Sequence, residues 1–147
     1  MANNPYFSDN AVSVALVAVG HLVDGGNITI YSGTQPNDAN TALSGNTALA
    51  VCNLSATAFN NSGVTYSGSD PGGGGGPGRY ATLPANAITS GTGVMGAATW
   101  FRCYNSSEVG VFDGTVGTSG CDLNLNTTSI STGSTVAITS FSLTQLE

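Results

Sequence analysis

Turn-forming residues recur roughly every eight to fifteen positions from Asn27 onward, and apolar and polar residues alternate between them. Short alternating segments form antiparallel strands, because one side of such a strand is buried and the other side meets solvent. The pattern predicts a mainly β fold, an antiparallel β-sandwich or a jelly-roll-like barrel.

The segment before this pattern has a helical period and predicts one N-terminal α-helix over residues 8–24. Ser8 suits the N-cap position, and the Gly25-Gly26 pair marks the end of the helix. Gly20 is placed on the polar side. The predicted buried stripe consists of Val12, Leu16, Val19 and Val23.

The strands that follow are predicted near residues 27–32, 49–56, 64–67, 79–88, 96–104, 108–112, 121–126 and 135–143. In the last strand, the apolar phase slips between Ile138 and Phe141, which predicts a bulge near Ser140. The strand around Trp100 carries aromatic rings on both sides. It is therefore either central in its sheet or covered by a neighbouring subunit.

A glycine-rich stretch at residues 68–79 is predicted to be a loop inside a single domain that spans residues 1–147. It lacks the lysine and hydroxyl residue of a phosphate-binding loop, and a strand is predicted after it where such a loop needs a helix. The sequence on both sides has the same strand character, which argues against a linker. If this loop is ordered, we expect a neighbouring subunit to hold it near Gly74.

Charged residues make up only 7% of the sequence, the formal net charge is −6, and Arg79 and Arg102 are the only strong cations. Nucleic acids and anionic membranes are bound through clustered lysine and arginine residues. We therefore expect neither as a partner. The first residues lack the basic start of a secretory signal, so an unexported, soluble protein is expected.

Residues suited to catalysis or metal binding are sparse. The single histidine, His21, falls on the predicted helix without a nucleophile elbow in view. The acidic residues fall mostly in predicted turns, and an Asx-type turn explains Asp38 without an ion. Cys52, Cys103 and Cys121 lack zinc-binding spacing and are expected to be free, mostly buried thiols. We expect no catalytic site, no metal and no cofactor.

Arg102 is the most informative polar residue, because alternation places it on the same strand face as Trp100 and Tyr104. A buried guanidinium needs a carboxylate partner. Asp113 and Asp122 are the candidate partners for a structural ion pair. The alternative is a surface arginine whose stem covers the indole ring.

Three stretches resemble a family of small virion proteins of tailed bacteriophages, and together they cover most of the sequence outside residues 60–95. They are "ITIYSGTQPNDANTALSGNTALA" (28–50), "AATWFRCY" (97–104) and "FDGTVGTSGCDLNLNTTSISTGSTVAITSFSLTQ" (112–145). The resemblance implies an aspartate-glycine hairpin at Asp113-Gly114. The matching residues, which the resemblance presents as fold-defining, are Tyr31, Gly33, Pro36, Trp100, Phe101, Arg102, Asp113, Gly114, Asp122 and Leu123.

The resemblance implies a capsid decoration, or cement, protein. Such a protein is made in the host cytoplasm, binds the outside of the phage head and bridges neighbouring copies of the major capsid protein, often as a homotrimer. The candidate contact residues are Val12, Leu16 and Val19 on the helix and Trp100 and Tyr104 on the aromatic strand. The alternative is a carbohydrate- or receptor-binding module of a phage tail or head fibre that uses these two rings as a platform.

Overall fold

The computed structural model describes residues 7–67 and 80–146, and it shows a mainly β fold with one helix, as the sequence predicts. Helix α1 covers Asp9–His21. The strands are β1 (Asn27–Ser32), β2 (Thr47–Leu54), β3 (Thr65–Ser67), β4 (Tyr80–Pro84), β5 (Ile88–Thr89), β6 (Gly91–Thr92), β7 (Gly96–Ala97), β8 (Trp100–Tyr104), β9 (Gly110–Gly117), β10 (Leu123–Asn124), β11 (Ser129–Ile130), β12 (Thr135–Val136) and β13 (Ser142–Leu146). The glycine-rich loop at 68–79, including Gly74, lies outside the described residues.

Helix α1 begins at the predicted cap, where the Ser8 hydroxyl accepts a hydrogen bond of 3.3 Å from the amide of Ala11. Its regular part ends at His21, three residues before the predicted limit, and a turn leads into β1. Val12, Leu16 and Val23 of the predicted stripe are buried, which confirms most of it, but Val19 is 37% exposed, and Gly20, which was placed on the polar side, is buried.

The physical reason for the burial of Gly20 is the close approach of the helix to the chain beneath it. A Cβ atom added to Gly20 would lie 3.0 Å from Cδ2 of Leu83 and 3.4 Å from Cβ of Phe59. A methyl group there would press on both side chains, so the helix packs close to the chain beneath it at this glycine, while Val19 lies partly toward solvent.

The largest sheet has six strands in the order β10-β9-β8-β1-β2-β5. All its pairs are antiparallel except β9 with β10. Strand β8 lies between β1 and β9 within this sheet. The sequence left open whether this strand is central in its sheet or covered by a neighbouring subunit. Its central position explains why it carries aromatic rings on both sides.

A three-stranded sheet of order β13-β4-β3 and two short two-stranded pairs complete the sheet structure of the described ranges. The apolar side of the six-stranded sheet carries Ile28, Ile30 and Phe101. Phe101 contacts Phe141 edge-on, with 5.5 Å between ring centroids, and Phe141 directly precedes β13. One core cluster therefore joins the two larger sheets and α1.

The structure corrects several predicted strands. The predicted strands 79–88 and 96–104 are each divided, because β4 and β5, and likewise β7 and β8, belong to different sheets. The bulge predicted near Ser140 is an interruption between two strands, because β12 pairs with β6 whereas β13 pairs with β4. Strand β9 continues to Gly117, so Asp113-Gly114 lies inside a strand and not in a hairpin turn. The turn between β8 and β9 occurs earlier, at residues 105–109, where Glu108 has a positive φ of 59°.

Candidate functional site

The second side of the six-stranded sheet carries polar and aromatic side chains. Alternation along β1 and β8 places Thr29 beside Arg102, and Tyr31 beside Trp100. The pairing of β8 with β9 places Arg102 directly opposite Asp113. This side is covered by the chain that links β1 to β2, residues 33–46, which we call the covering segment.

Arg102 lies at the centre of this side with its side chain 5% exposed, and the Asp113 side chain is 4% exposed. Nε of Arg102 donates to Oδ1 of Asp113 at 2.7 Å, and Nη2 donates to Oδ2 at 2.8 Å. Two carboxylate bonds to one guanidinium form a bidentate pair, the strongest geometry for such groups. The hydrogen bonds to Asp113 hold the pKa of Arg102 above its ordinary value.

Two further donors of Arg102 reach the covering segment. Nη1 donates to the carbonyl oxygen of Thr41 at 2.9 Å, and Nη2 donates to that of Asp38 at 3.0 Å. The same guanidinium therefore satisfies a carboxylate on β9 and ties the covering segment to the sheet. This use of both backbone carbonyls had no local signal in the sequence.

Asp122, the other carboxylate that the sequence offered to Arg102, binds elsewhere. Its Oδ2 accepts hydrogen bonds from the amide and the hydroxyl of Thr115, both at 2.8 Å. The backbone bond from Thr115 is the main cause that lowers the pKa of Asp122. Asp122 thus fixes the chain before β10 against β9, and the ion pair of Arg102 is with Asp113 alone.

The aromatic rings on this side are covered. Trp100 is 0% exposed and stacks on Tyr31 with 4.6 Å between ring centroids. The hydroxyl groups of Tyr31 and Tyr104 lie 2.7 Å apart, and burial raises the pKa of Tyr31. The guanidinium carbon of Arg102 lies 5.5 Å from the Trp100 ring centroid, but this arginine is buried and is not a surface residue. A sugar-binding platform would need open rings, and Trp100 offers none.

The covering segment holds its shape through its own side chains. Oδ1 of Asp38 accepts hydrogen bonds from the amide of Asn40 at 2.9 Å and the amide of Thr41 at 2.8 Å. This is the predicted Asx-type turn. The hydroxyl of Thr41 also donates to Asp38, and this bond is the main cause that lowers the pKa of the Asp38 carboxyl. Nδ2 of Asn46 donates to the carbonyl oxygen of Thr34 at 2.8 Å.

His21 belongs to a set of contacts at the end of α1. Its Nδ1 lies 2.8 Å from Oδ2 of Asp24, and its Nε2 lies 3.2 Å from Nδ2 of Asn61. The other oxygen of Asp24 accepts a hydrogen bond of 2.6 Å from the amide of Ala58. These bonds tie the helix end to the chain after β2, which is a structural use of the only histidine.

The cysteines of the chain are free thiols. Cys52 and Cys103 are buried, and burial raises the pKa of both thiols, that of Cys103 to about 12. Cys121 is partly exposed. Within the described ranges, no three histidine, cysteine or acidic side chains are grouped so that they would hold a metal ion.

The residues that the sequence proposed for contact with other subunits are mostly inside the chain. Val12, Leu16 and Trp100 are 2%, 3% and 0% exposed, so they pack in this chain's own interior and offer no surface to a partner. Val19 and Tyr104 remain partly accessible. The physical reason is that α1 and β8 are both covered on the sides where the contacts were predicted.

A different side of α1, together with residues that flank the helix, presents apolar side chains to solvent. Phe7 is 57%, Val14 is 61% and Leu22 is 59% exposed. Val14 and Ala18 also line a shallow depression of about 410 Å³ that His21 borders. We call Phe7, Val14, Ala18 and Leu22 the outer helix face. The sequence signal for it is that valine and alanine occur all round the helix, where a surface helix usually has a polar side.

The fold and the site define a small, mainly β protein with one helix and a buried arginine-aspartate pair. No family model, no curated protein and no solved structure matches this chain. Helix α1 lacks the length and apolarity of a bilayer-crossing segment, and it is the sole helix in the described residues.

Proposed function

We propose that this protein is a structural component of a tailed-bacteriophage virion, a decoration protein that binds the outside of the head and bridges neighbouring copies of the major capsid protein. The observation that carries the proposal is the outer helix face, where Val14 and Leu22 are each more than half exposed. Side chains spaced four and eight residues apart lie along one line of a helix. Apolar surface of this kind is seldom left bare, so a second protein surface is expected to cover it.

The charge distribution supports a protein partner. The net charge is −6 and the sequence has no lysine. Arg102 is buried and forms an ion pair with Asp113. The described surface therefore presents no lysine or arginine to a phosphate backbone or to an anionic lipid. The ordered sequence motifs that resemble phage virion proteins support the same class.

The polar residues of the interior also favour a structural role. Arg102, Asp113 and Asp122 are engaged in bonds that hold strands and the covering segment together. A decoration protein acts by binding energy alone, since it stabilises the assembled shell by mass action. Many identical contacts add avidity across a shell, and a homotrimer is the assembly we propose for the bound state.

The test uses purified phage particles. Denaturing electrophoresis is expected to show this protein at a copy number comparable to that of the major capsid protein, and detaching the tails is expected to leave it on the heads. Its absence from particles, or its loss together with the tails, would contradict the proposal.

A pair of matched variants tests the surface. Val14→Glu is expected to reduce the amount bound to heads about tenfold, which corresponds to about 1.4 kcal/mol. Val109 is 58% exposed in the turn before β9, so Val109→Glu adds the same charge at a similar exposure away from the helix. It is expected to bind as the parent does. Equal loss in both variants would assign the effect to charge and not to the outer helix face.

A further inference from the structure

Two open sheet edges border one groove in this molecule. Strand β13 has β4 as its only neighbour in the described sheets, and β10 has only β9. Two adjoining depressions of about 360 and 430 Å³ lie beside these strands, and the smaller one is also lined by Thr82 and Pro84 of β4. Both are lined by Asp122 and Asn124 from the β10 side and by Phe141 and Ser142 from the β13 side.

The hydrogen-bond register shows which backbone groups of β13 point away from β4. The amide of Ala85 donates to the carbonyl oxygen of Phe141 at 2.8 Å, so Phe141 directs its backbone toward the β4 side. Alternation gives Leu143 the same direction and turns the backbone groups of Ser142 and Thr144 away from β4. Pro84 lies opposite Ser142 and has no amide hydrogen. This agrees with the register, because Ser142 forms no backbone hydrogen bond with the residue opposite it.

This edge lacks the usual protection against strand pairing. Exposed edge strands are commonly blocked by a charged residue, a proline or a bulge. The five residues of β13 are Ser-Leu-Thr-Gln-Leu, without charge and without proline, and their pairing with β4 is continuous. The backbone groups of Ser142 and Thr144 are thus available to one further strand.

The floor of the groove adds a site for an apolar side chain. The rings of Phe112 and Phe141 lie nearly parallel, with 6.3 Å between centroids. Phe112 is only half-buried. Two acidic residues line the groove, Asp122 and Asp113, and Asp113 is already paired with Arg102. Neither an arginine nor a lysine lines it.

We propose that this groove binds an extended segment of another protein by adding it as a strand to β13. The segment forms backbone hydrogen bonds with Ser142 and Thr144, places an apolar side chain on Phe112 and Phe141, and carries a basic residue near Asp122. A second copy of this chain is a poor occupant, because each copy has a net charge of −6. This inference concerns the mode of recognition and does not require the virion assignment.

The first measurement is amide hydrogen exchange in the free protein by NMR. The amides of Ser142 and Thr144 are expected to exchange at rates near those of an unstructured chain, while those of Leu143 and Gln145 are protected. Strong protection of Ser142 and Thr144 in the free protein would show that the edge is already paired and would overturn the proposal.

The second measurement uses a synthetic eight-residue peptide of alternating threonine and valine with one central lysine as the probe. At saturation it is expected to slow exchange at Ser142 and Thr144 at least tenfold and to shift the ring resonances of Phe112. The same peptide with N-methylated backbone amides is expected not to bind. Equal binding of the methylated peptide would overturn strand addition.

Charge is tested with a twin peptide that has glutamate in place of the lysine. It is expected to bind about two- to fivefold more weakly, as an exposed ion pair warrants. Asp122→Asn is expected to reduce that difference. If the glutamate twin binds the parent protein as well as the lysine peptide, the assignment of a basic segment is wrong.

One variant tests the open edge of β13 without disrupting the fold. Thr144→Pro removes the amide that faces the groove while leaving the pairing of Leu143 and Gln145 with β4, and proline is accepted at such outward-facing edge positions. It is expected to lose at least tenfold in affinity for the lysine peptide, whereas Ser142→Ala, which keeps the backbone, binds as the parent does. Unchanged affinity in Thr144→Pro would contradict the proposal, as would dimerisation of the parent through β13 in light scattering.

Discussion

Arg102 shows how one side chain can organise a protein that has few charges. Its guanidinium makes two hydrogen bonds to Asp113 and one to each of two carbonyl oxygens in the covering segment. Both members of the pair are almost fully buried. A charge in such a place is stable only while its partner is present.

Asp113→Ala is therefore expected to lower the free energy of unfolding by about 3–5 kcal/mol, because it leaves the Arg102 guanidinium buried without a carboxylate. Urea unfolding followed by tryptophan fluorescence measures this change, since Trp100 is the only tryptophan. Asp122→Ala, which loses hydrogen bonds to Thr115 near the surface, is expected to cost about 1 kcal/mol. A cost for Asp113→Ala no larger than that for Asp122→Ala would contradict the role of the pair.

Asp122 and Asp38 also make the free energy of unfolding depend on pH in acid solution. Hydrogen bonds lower the pKa of both carboxyls below the ordinary value of 3.8, so the folded state holds their protons less tightly than the unfolded state does. Their contribution is fully present above pH 3.8 and is lost as the pH falls through the lower folded pKa.

We expect the melting temperature to fall as the pH decreases below about 4, and to fall less steeply in Asp122→Asn. Thr115→Val, which removes the hydroxyl donor while keeping the amide, is expected to give an intermediate slope. Thermal unfolding followed by circular dichroism at several pH values measures both variants. A slope in Asp122→Asn identical to that of the parent would show that this carboxyl is not bound as described.

At the scale of elements, the connection from α1 to β1 depends on a glycine with no room for a side chain. A Cβ atom added to Gly26 would lie 1.9 Å from the carbonyl oxygen of Tyr104, a backbone atom that cannot rotate away. Gly26 also accepts a hydrogen bond of 2.9 Å from the amide of Leu54. The helix end and three strands therefore meet at this point.

Gly26→Ala is expected to destabilise the protein by about 3 kcal/mol, because the chain must shift away from β8 to admit the methyl group. Gly45→Ala is the matched control, since a Cβ there meets nothing within 4 Å and only a left-handed backbone with φ of 70° resists it. That control is expected to cost about 1 kcal/mol. Equal costs in chemical denaturation would show that the connection has more freedom than the structure gives it.

The elements also show where local pattern was sufficient and where it was not. The helix, its Ser8 cap and the limits of β1 follow from residues close together in the chain, and the sequence predicted them. The Asp113-Gly114 pair has the composition of a turn, yet it lies inside β9. The ion pair with Arg102 overrides the local preference, and that partner is eleven residues away.

At the scale of the whole molecule, one core connects both larger sheets and the helix. Cys52 on β2 and Cys103 on β8 both belong to that core and are 0% exposed, whereas Cys121 is partly exposed. Burial raises the pKa of the Cys103 thiol to about 12, so its thiolate is scarce near neutral pH.

A thiol reagent such as dithiobis(nitrobenzoic acid) is therefore expected to modify Cys121 quickly in the native protein at pH 8. Cys52 and Cys103 are expected to react only through global unfolding, at a common rate that rises with urea. Mass spectrometry after timed labelling distinguishes the three thiols. If Cys52 or Cys103 is labelled at a rate that does not depend on urea, the thiol is exposed by local opening of a sheet edge. The core would then not unfold as one cooperative unit.

The sequence by itself determined the fold class, since the period of two, the recurring turns and the capped helix each depend on neighbours within a few residues. It also limited the candidate ion-pair partners of Arg102 to two carboxylates. Only the tertiary structure decided between Asp113 and Asp122, made β8 central, buried Trp100 and left the outer helix face and the β13 edge open. Those outcomes depend on strand register and on which surfaces meet across the core, and such contacts join residues far apart in the chain.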